Sequence, residues 1–396
     1  MTTNGSVIEM MKKLLGACLL VTVLPLEAVE VYKSDLLNLD VGGNIQLGVI
    51  NSDTNDGDNT TTVFDNGSRL HFDFSSSVNS DLKFRGFFEW YINAVARNSI
   101  DSYNVGHNAI SLSDGRNEFM SLRQGFFAAQ HSKWGELSIG KRMGAYTAVT
   151  SVTDRFNVYS ALASSTYVYG DGGLSGTGRV DNGIFWNKPF DFDNHSLTVN
   201  LQGQFIDDTT VLKDDEDMPV LDDDGNEVTL TTKGGEAASV IYAYDVDKFT
   251  FGLAYVNDEA EGKGIRISNP RAIAASFSST MGDWYLSAVA AHSEGMYQDN
   301  SNQIFEGKGY EIALSRDIGN WTPMIGWNHI EPDNYDIAEQ NQASQYELDL
   351  IIITLNYNVP SLGFFAFIEG MVDNGKNADG SNSNDDYISV GMYYPF

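Results

Sequence analysis

Cysteine is nearly missing: Cys18 is the one thiol in 396 residues, and it sits in the N-terminal apolar stretch. A disulfide framework is therefore excluded, and with it the small stapled folds that need one. Proline is sparse, at 8 residues, so little interrupts a strand ladder. Positive charge is short as well, with 24 Lys and Arg against 54 Asp and Glu and a formal net charge of −30. Nothing in that balance offsets phosphate repulsion, which excludes a nucleic-acid partner. Beyond the N-terminal stretch, no run approaches the roughly 18 consecutive apolar residues of a membrane helix. What the chain does have is glycine, 38 residues, and 12% aromatics, a mixture that suits strands and turns. Apolar content of 42% is enough for one large all-β domain.

Residues 1–28 read as an address rather than as structure. Lys12 and Lys13 precede "LLGACLLVTVLPL" and then Glu27-Ala28, the layout of a bacterial secretory leader cleaved after Ala28. Met10 or Met11 is a more natural start than Met1, so the residues before them read as an over-extended beginning. "LGAC" resembles a lipid-anchor site, but only four residues separate Lys13 from Cys18, too few for the apolar segment such a site needs. Residues 29–396 then form a single domain.

That domain alternates almost throughout. "SRLHFDF" sets Leu70, Phe72 and Phe74 against Arg69, His71 and Asp73. "LKFRGFFEWYIN" sets Leu82, Phe84, Phe88 and Trp90 against Lys83, Arg85 and Glu89, and "YELDLIII" sets Tyr346, Leu348, Leu350 and Ile352 against Glu347 and Asp349. Period two means strand. Short polar turns, such as Asn79-Ser80-Asp81 and Gly282-Asp283, alternate with eight long acidic or Asn/Gly-rich loops, the third spanning about 143–176. Soluble sandwiches have no rule that lengthens every other loop, whereas an outer-membrane barrel does. Counting strands between the loops predicts sixteen, with both termini on the short-turn side. The expected fold is all-β: a closed transmembrane antiparallel barrel with short periplasmic turns and long outer loops. Closure leaves no edge in hydrocarbon, and sixteen strands enclose water rather than a packed core.

The closing strand, "DYISVGMYYPF", puts Ile388, Val390, Met392, Tyr394 and Phe396 toward lipid, with Tyr393, Tyr394 and Phe396 expected at the periplasmic aromatic girdle. The same alternation predicts Leu70, Phe72, Leu122 and Val180 on the lipid face, beside small outward residues at Ala272, Ala274, Ala288 and Ala290.

The chain resembles the general diffusion porins of Gram-negative outer membranes. "EVYKSDLLNLDVGGNIQLG" is similar to their first strand, "SRLHFDFSSSVNSDLKFRGFFEWYIN" to their second hairpin, and "LRQGFFAAQHSKWGELSIGKRMGAYTAVTSVTD" to the hairpin that leads into their third loop. "GTGRVDNGIFWNKP" resembles the strand leaving that loop, and a terminal Phe behind alternating apolar residues is the family's assembly signal. The resemblance implies a third loop folded inward to narrow the channel, with acids facing a ladder of arginines. On this chain the ladder falls on Arg69, Arg123 and Arg179, with Arg142 at the mouth of the loop and Lys83 and Arg85 on the same inward face. Asp154 matches one loop acid. The family's Pro-Glu-Phe-Gly-Gly stretch is absent, and the longer "RFNVYSALASSTYVYGDGG" offers Asp171 in its place. The resemblance also implies a homotrimer in contact with outer-membrane lipid and lipopolysaccharide, inserted by the barrel assembly machinery.

The implied function is passive diffusion of ions and small hydrophilic solutes, with a cation preference expected from the acidic loops. A substrate-specific sugar or peptide channel is the nearest alternative, given Tyr159, Tyr167 and Tyr169 in the third loop. An outer-membrane barrel hydrolase and a secreted β-rich adhesin stand further off. None of the histidines, His71, His107, His131, His195, His292 and His329, forms a metal spacing along the chain. His292-Ser293 is a His–Ser neighbour pair, and i, i+1 side chains on a strand face opposite ways, so no catalytic role is assigned. No cofactor is implied. The acidic stretch "KDDEDMPVLDDDGNE" at 213–227 fails the EF-hand spacing and reads as a solvated outer loop, with weak, diffuse divalent-cation binding as its other reading.

Overall fold

The computed structural model describes residues 29–34, 37–53, 59–95, 99–100, 112–113, 119–168, 171–211, 219, 225–245, 248–263, 269–299, 304–335, 345–383 and 385–396. The predicted leader, His107, Tyr169 and most of the 213–227 stretch lie outside them.

Sixteen strands close into one antiparallel barrel. In chain order they are β1 (Asn38–Asp53), β2 (Asn59–Asp65 continued by Arg69–Ser77), β3 (Leu82–Ile92), β4 (Met120–His131), β5 (Gly135–Met143) and β6 (Arg179–Phe192). There follow β7 (His195–Gln204), β8 (Thr229–Tyr244), β9 (Phe249–Lys263), β10 (Arg271–Met281) and β11 (Trp284–Gln298). The last five are β12 (Ile304–Arg316), β13 (Trp321–Tyr335), β14 (Leu348–Val359), β15 (Phe364–Asp373) and β16 (Tyr387–Pro395). The barrel closes where β1 meets β16, from Asn44 opposite Pro395 to Ser52 opposite Tyr387. Phe396 continues that seam: its N–H donates to the Gly43 carbonyl at 3.0 Å, and its carbonyl accepts from the Gly43 N–H at 2.9 Å. A terminal aromatic is thus sewn into the sheet by its own backbone, which satisfies groups that hydrocarbon could not.

The two ends of the barrel differ as the loop lengths predict. Asp193-Asn194 and Gly282-Asp283 are two-residue turns, with left-handed φ of 45° at Asp193 and 60° at Gly282 reversing the chain. At the opposite end several strands run past their expected limits: Thr229 pairs with Lys263 and Thr231 with Glu261, in sequence that reads as loop. Outside hydrocarbon neither face must be apolar, so the ladder persists after the alternation signal has vanished.

The alternation separates two faces, but the structure corrects which residues face out. On β10, Ile273 is 46% exposed while Ala272 and Ala274 are buried inward, so those two alanines do not belong to the outer face. Leu348, Leu350 and Ile352 are also buried inward, with Tyr346 beside them, and Ile351 and Ile353 are exposed. Val180 is fully buried, because a bulge between Val180 and Gly183 breaks the parity of β6. Tyr393 lies inward too, stacked on Phe365 at 4.9 Å, and is not part of a girdle.

Those inward apolar patches are covered by the third loop, residues 144–178, which folds into the lumen as expected. It begins with the short helix α1 (Thr147–Thr150). Tyr146, Val149 and Val168 pack on Ala237, Ala254, Ala272 and Ala274. Further on, Val158, Tyr159 and Leu162 pack on Leu348, Leu350, Ile352 and Met371. Each large side chain so buried contributes about 1.5–3 kcal/mol. Close approach is possible because the wall is cut back: a Cβ on Gly309 would lie 1.6 Å from the Ala163 carbonyl oxygen, and one on Gly326 would lie 2.3 Å from the Phe156 ring.

Candidate pore constriction

The loop leaves an opening of about 380 Å³ against one side of the barrel. Arg69 from β2, Arg123 from β4 and Arg179 from β6 line the wall, with Tyr91 of β3 among them. Asp154, Arg155 and Asn157 line the loop side. The three arginines come from every second strand, and Arg179 joins the row from beside the bulge at Val180–Gly183 rather than by simple alternation.

Each arginine is fixed differently. Arg123 Nε donates to Glu89 Oε1 at 2.6 Å, its Nη1 donates to the Tyr91 hydroxyl, and its guanidinium lies 4.7 Å from the Tyr91 ring centroid. Glu89 also accepts from Gln124 Nε2 at 3.1 Å, so two consecutive residues of β4 hold the carboxylate at once. Arg179 is 1% exposed; it reaches Asp171 at 3.5 Å and lies over Tyr91 and Tyr167. Among the described residues no carboxylate lies within ion-pair distance of Arg69, whose charge faces the opening directly. On the loop, the Tyr167 hydroxyl donates to Asp154 Oδ2 at 2.7 Å and fixes that acid.

The structure thus brings Arg69, Arg123, Arg179 and Asp154 together. Asp171 joins Arg179 but does not line the opening: it bridges to Lys141 at 3.3 Å at the foot of the loop, where Asp181 also holds Lys141 at 2.8 Å. Arg142 pairs with Glu136 and lies 4.6 Å from the Phe126 centroid, on the lumen wall beside the opening. Arg85 pairs with Asp73 at 2.7 Å. Lys83 lies among the turn residues Asn79, Ser80 and Asp81 at the short-turn end. At about 3.3 Å per residue, Arg85 and Lys83 stand about 13 and 20 Å along β3 from Glu89, too far to share its row. Ile388, Val390, Met392 and Tyr394 alternate with inward Ser389 and Gly391 on β16, where they take part in the closing seam.

Three sets of residues were not legible in advance. Arg155 lines the opening directly beside Asp154, and Tyr91 serves as a floor for two guanidiniums. The third set holds the loop. Glu311 Oε1 accepts from the Ala163 N–H at 2.8 Å, and its second oxygen accepts from Thr153 Oγ1. Glu369 accepts from the N–H groups of Asn157 and Val158 at 2.7 and 2.8 Å, from Thr354 Oγ1 at 2.6 Å and from the Tyr387 hydroxyl at 2.9 Å. Both glutamates break the apolar rows of their strands, and that break is the signal.

A closed barrel around a charged opening defines a pore-forming protein of a membrane. Residues 27–396 match the Gram-negative porin family, and the chain belongs to it. It resides in the bacterial outer membrane. The sequence is 24% identical to outer membrane protein U of Vibrio parahaemolyticus serotype O3:K6 (strain RIMD 2210633) over 381 residues, 93% of this chain and 94% of the relative. Its fold is similar to the outer membrane channel DcaP of Acinetobacter baumannii, with a TM-score of 0.67 at 13% identity over 93% of this chain and 100% of that one. It is also similar to a trimer form of the Vibrio cholerae outer membrane protein OmpT, with a TM-score of 0.58 at 12% identity over 91% of this chain and 100% of the other.

Proposed function

We propose that the protein is a general diffusion channel, passing ions and small hydrophilic solutes without a catalytic step and with a preference for cations. The observation that carries this reading is the 380 Å³ opening between the arginine row and the loop. A narrow gap edged by opposed charges orders water and admits small polar solutes, while apolar or bulky ones lose hydration and meet the walls. The preference for cations rests on compensation. Arg85, Arg123, Arg142 and Arg179 each have a carboxylate within ion-pair distance, so much of the wall's positive charge is offset locally. The chain's net charge of −30 then acts on ions approaching through the wide mouths. Assembly as a homotrimer, as in the OmpT trimer form, belongs to the same reading.

Planar-bilayer recordings across a salt gradient test it. The wild type should conduct and show a reversal potential of cation-selective sign. Arg123→Ala should raise conductance and strengthen the cation preference. A barrel that does not conduct, or one with anion-selective reversal, would refute the proposal.

A further inference from the structure

Four neighbouring strands carry charge on their outward face at the long-loop end. His292 on β11 stands opposite Ile273 on β10 and Lys308 on β12, and Lys308 stands opposite Glu331 on β13. Arg271 and Glu294 face each other one row further out. Two residues toward the short-turn end, the outward row is Ala290, Tyr310, His329 and Asp349; the row after that is Ala288, Ile312, Trp327 and Ile351. The wall passes from aliphatic to aromatic to charged, the order expected where hydrocarbon gives way to headgroups.

Within the charged belt three ligand atoms converge. His292 Nε2 lies 3.3 Å from Glu306 Oε1 and 3.9 Å from Glu294 Oε1, and the three residues' ligand atoms lie within 4.8 Å of one another. No other three such residues meet this way among the described residues. Arg271 holds Glu294 by its second oxygen. The other imidazole nitrogen, Nδ1, is shielded from solvent and has no hydrogen-bond partner. It faces Asp333 Oδ2 at 3.9 Å, and Lys308 Nζ holds that carboxylate at 2.7 Å.

We propose that His292, Glu294 and Glu306 form a site for a zinc-type divalent cation on the outer rim of the barrel. One imidazole nitrogen with two carboxylate oxygens is a borderline donor set, which suits Zn²⁺; Ca²⁺ and Mg²⁺ are held by oxygen ligands. Three protein ligands would leave a fourth position for water or a further ligand. Asp333 Oδ2, 3.9 Å from Nδ1, stands near the place where ligating histidines usually have a carboxylate hydrogen-bonded to the second ring nitrogen. Spacing along the chain cannot show such a site, because His292 and Glu294 come from one strand and Glu306 from the next. The same three residues would also form an ion-paired hub around a protonated imidazole, and the experiment separates the two.

The folded barrel, purified in detergent and stripped with a chelator, is titrated calorimetrically with ZnCl₂ at about pH 8, where imidazole is ordinarily neutral. His292→Ala, Glu306→Gln and Asp333→Asn are titrated beside it, each first shown to migrate as a folded barrel on unheated gels. The wild type should bind one Zn²⁺ more than His292→Ala, Glu306→Gln should lose the same equivalent, and Asp333→Asn should weaken it by about tenfold. CaCl₂ should give no signal that depends on His292. Equal zinc stoichiometry and affinity in the wild type and His292→Ala would overturn the site, as would a His292-dependent signal as strong with Ca²⁺ as with Zn²⁺. None of these readings depends on whether the barrel conducts.

Discussion

Both sides of the lumen carry inward carboxylates, and they hold different things. On β2, β3 and β5, Asp73, Glu89 and Glu136 each take an arginine. On β12 and β15, Glu311 and Glu369 take hydroxyls and backbone N–H groups of the third loop. A carboxylate facing a guanidinium leaves a wall that is polar and locally balanced, suited to water. One whose oxygens are filled by N–H and O–H donors becomes a socket for chain that would otherwise have buried unsatisfied groups. Residue type and parity are the same on both sides; the partner decides which wall stays wet and which is covered.

The most direct way to break this comparison is to close the covered side. Gly309→Val places a side chain where the Ala163 carbonyl lies 1.6 Å from the ideal Cβ position, so the loop must lift or the strand must shift. Overpacking of this kind costs about 1–3 kcal/mol. The variant should lose its folded gel migration at a lower temperature and conduct roughly twice the current, as the opening widens. Unchanged conductance would mean that the loop does not govern the opening.

A paired substitution sharpens the contrast. Glu369→Gln keeps the shape of the socket but replaces one acceptor oxygen with a donor, at a cost of about 1–3 kcal/mol in loop docking. Its conductance should rise while its reversal potential moves little. Glu89→Gln does the opposite: it uncovers Arg123 beside Arg69, so the reversal potential should shift toward anions with little change in conductance. Were the two variants to behave alike, the walls would not differ in role.

Much of the fold could be read in the chain. Period-two alternation and the strict succession of short and long connections sufficed for a closed sixteen-stranded barrel. Alternation tells two faces apart, but it does not say which is inward when a loop covers the lumen. Leu348, Leu350 and Ile352 are apolar because they sit under Val158, Tyr159 and Leu162, and hydrophobicity is the same signal whether lipid or loop supplies the cover. Ala272 and Ala274 are small to admit the loop, not to flatten an outer surface. The arginine row was legible through resemblance and parity, although at Arg179 the parity argument fails at the bulge near Val180. Glu311 and Glu369 were not legible as anchors, because their partners are backbone groups about 150 and 210 residues away in sequence.

The smallest effect tests the loop's own acid. Asp154 is exposed at the opening, opposite the arginine row, and its carboxylate accepts from Tyr167. Asp154→Asn keeps an oxygen for that hydroxyl, so the loop should stay in place and conductance should hold. What changes is one charge in contact with water, and its field is screened over about 10 Å at 0.1 M salt and about 3 Å at 1 M. The reversal potential should therefore move toward anions at low salt, by less than in Glu89→Gln, and return to the wild-type value at high salt. Because Glu89 is buried against Arg123, its effect should outlast the same rise in salt, so a salt series on the two variants separates a charge held in the wall from one standing in the solvent.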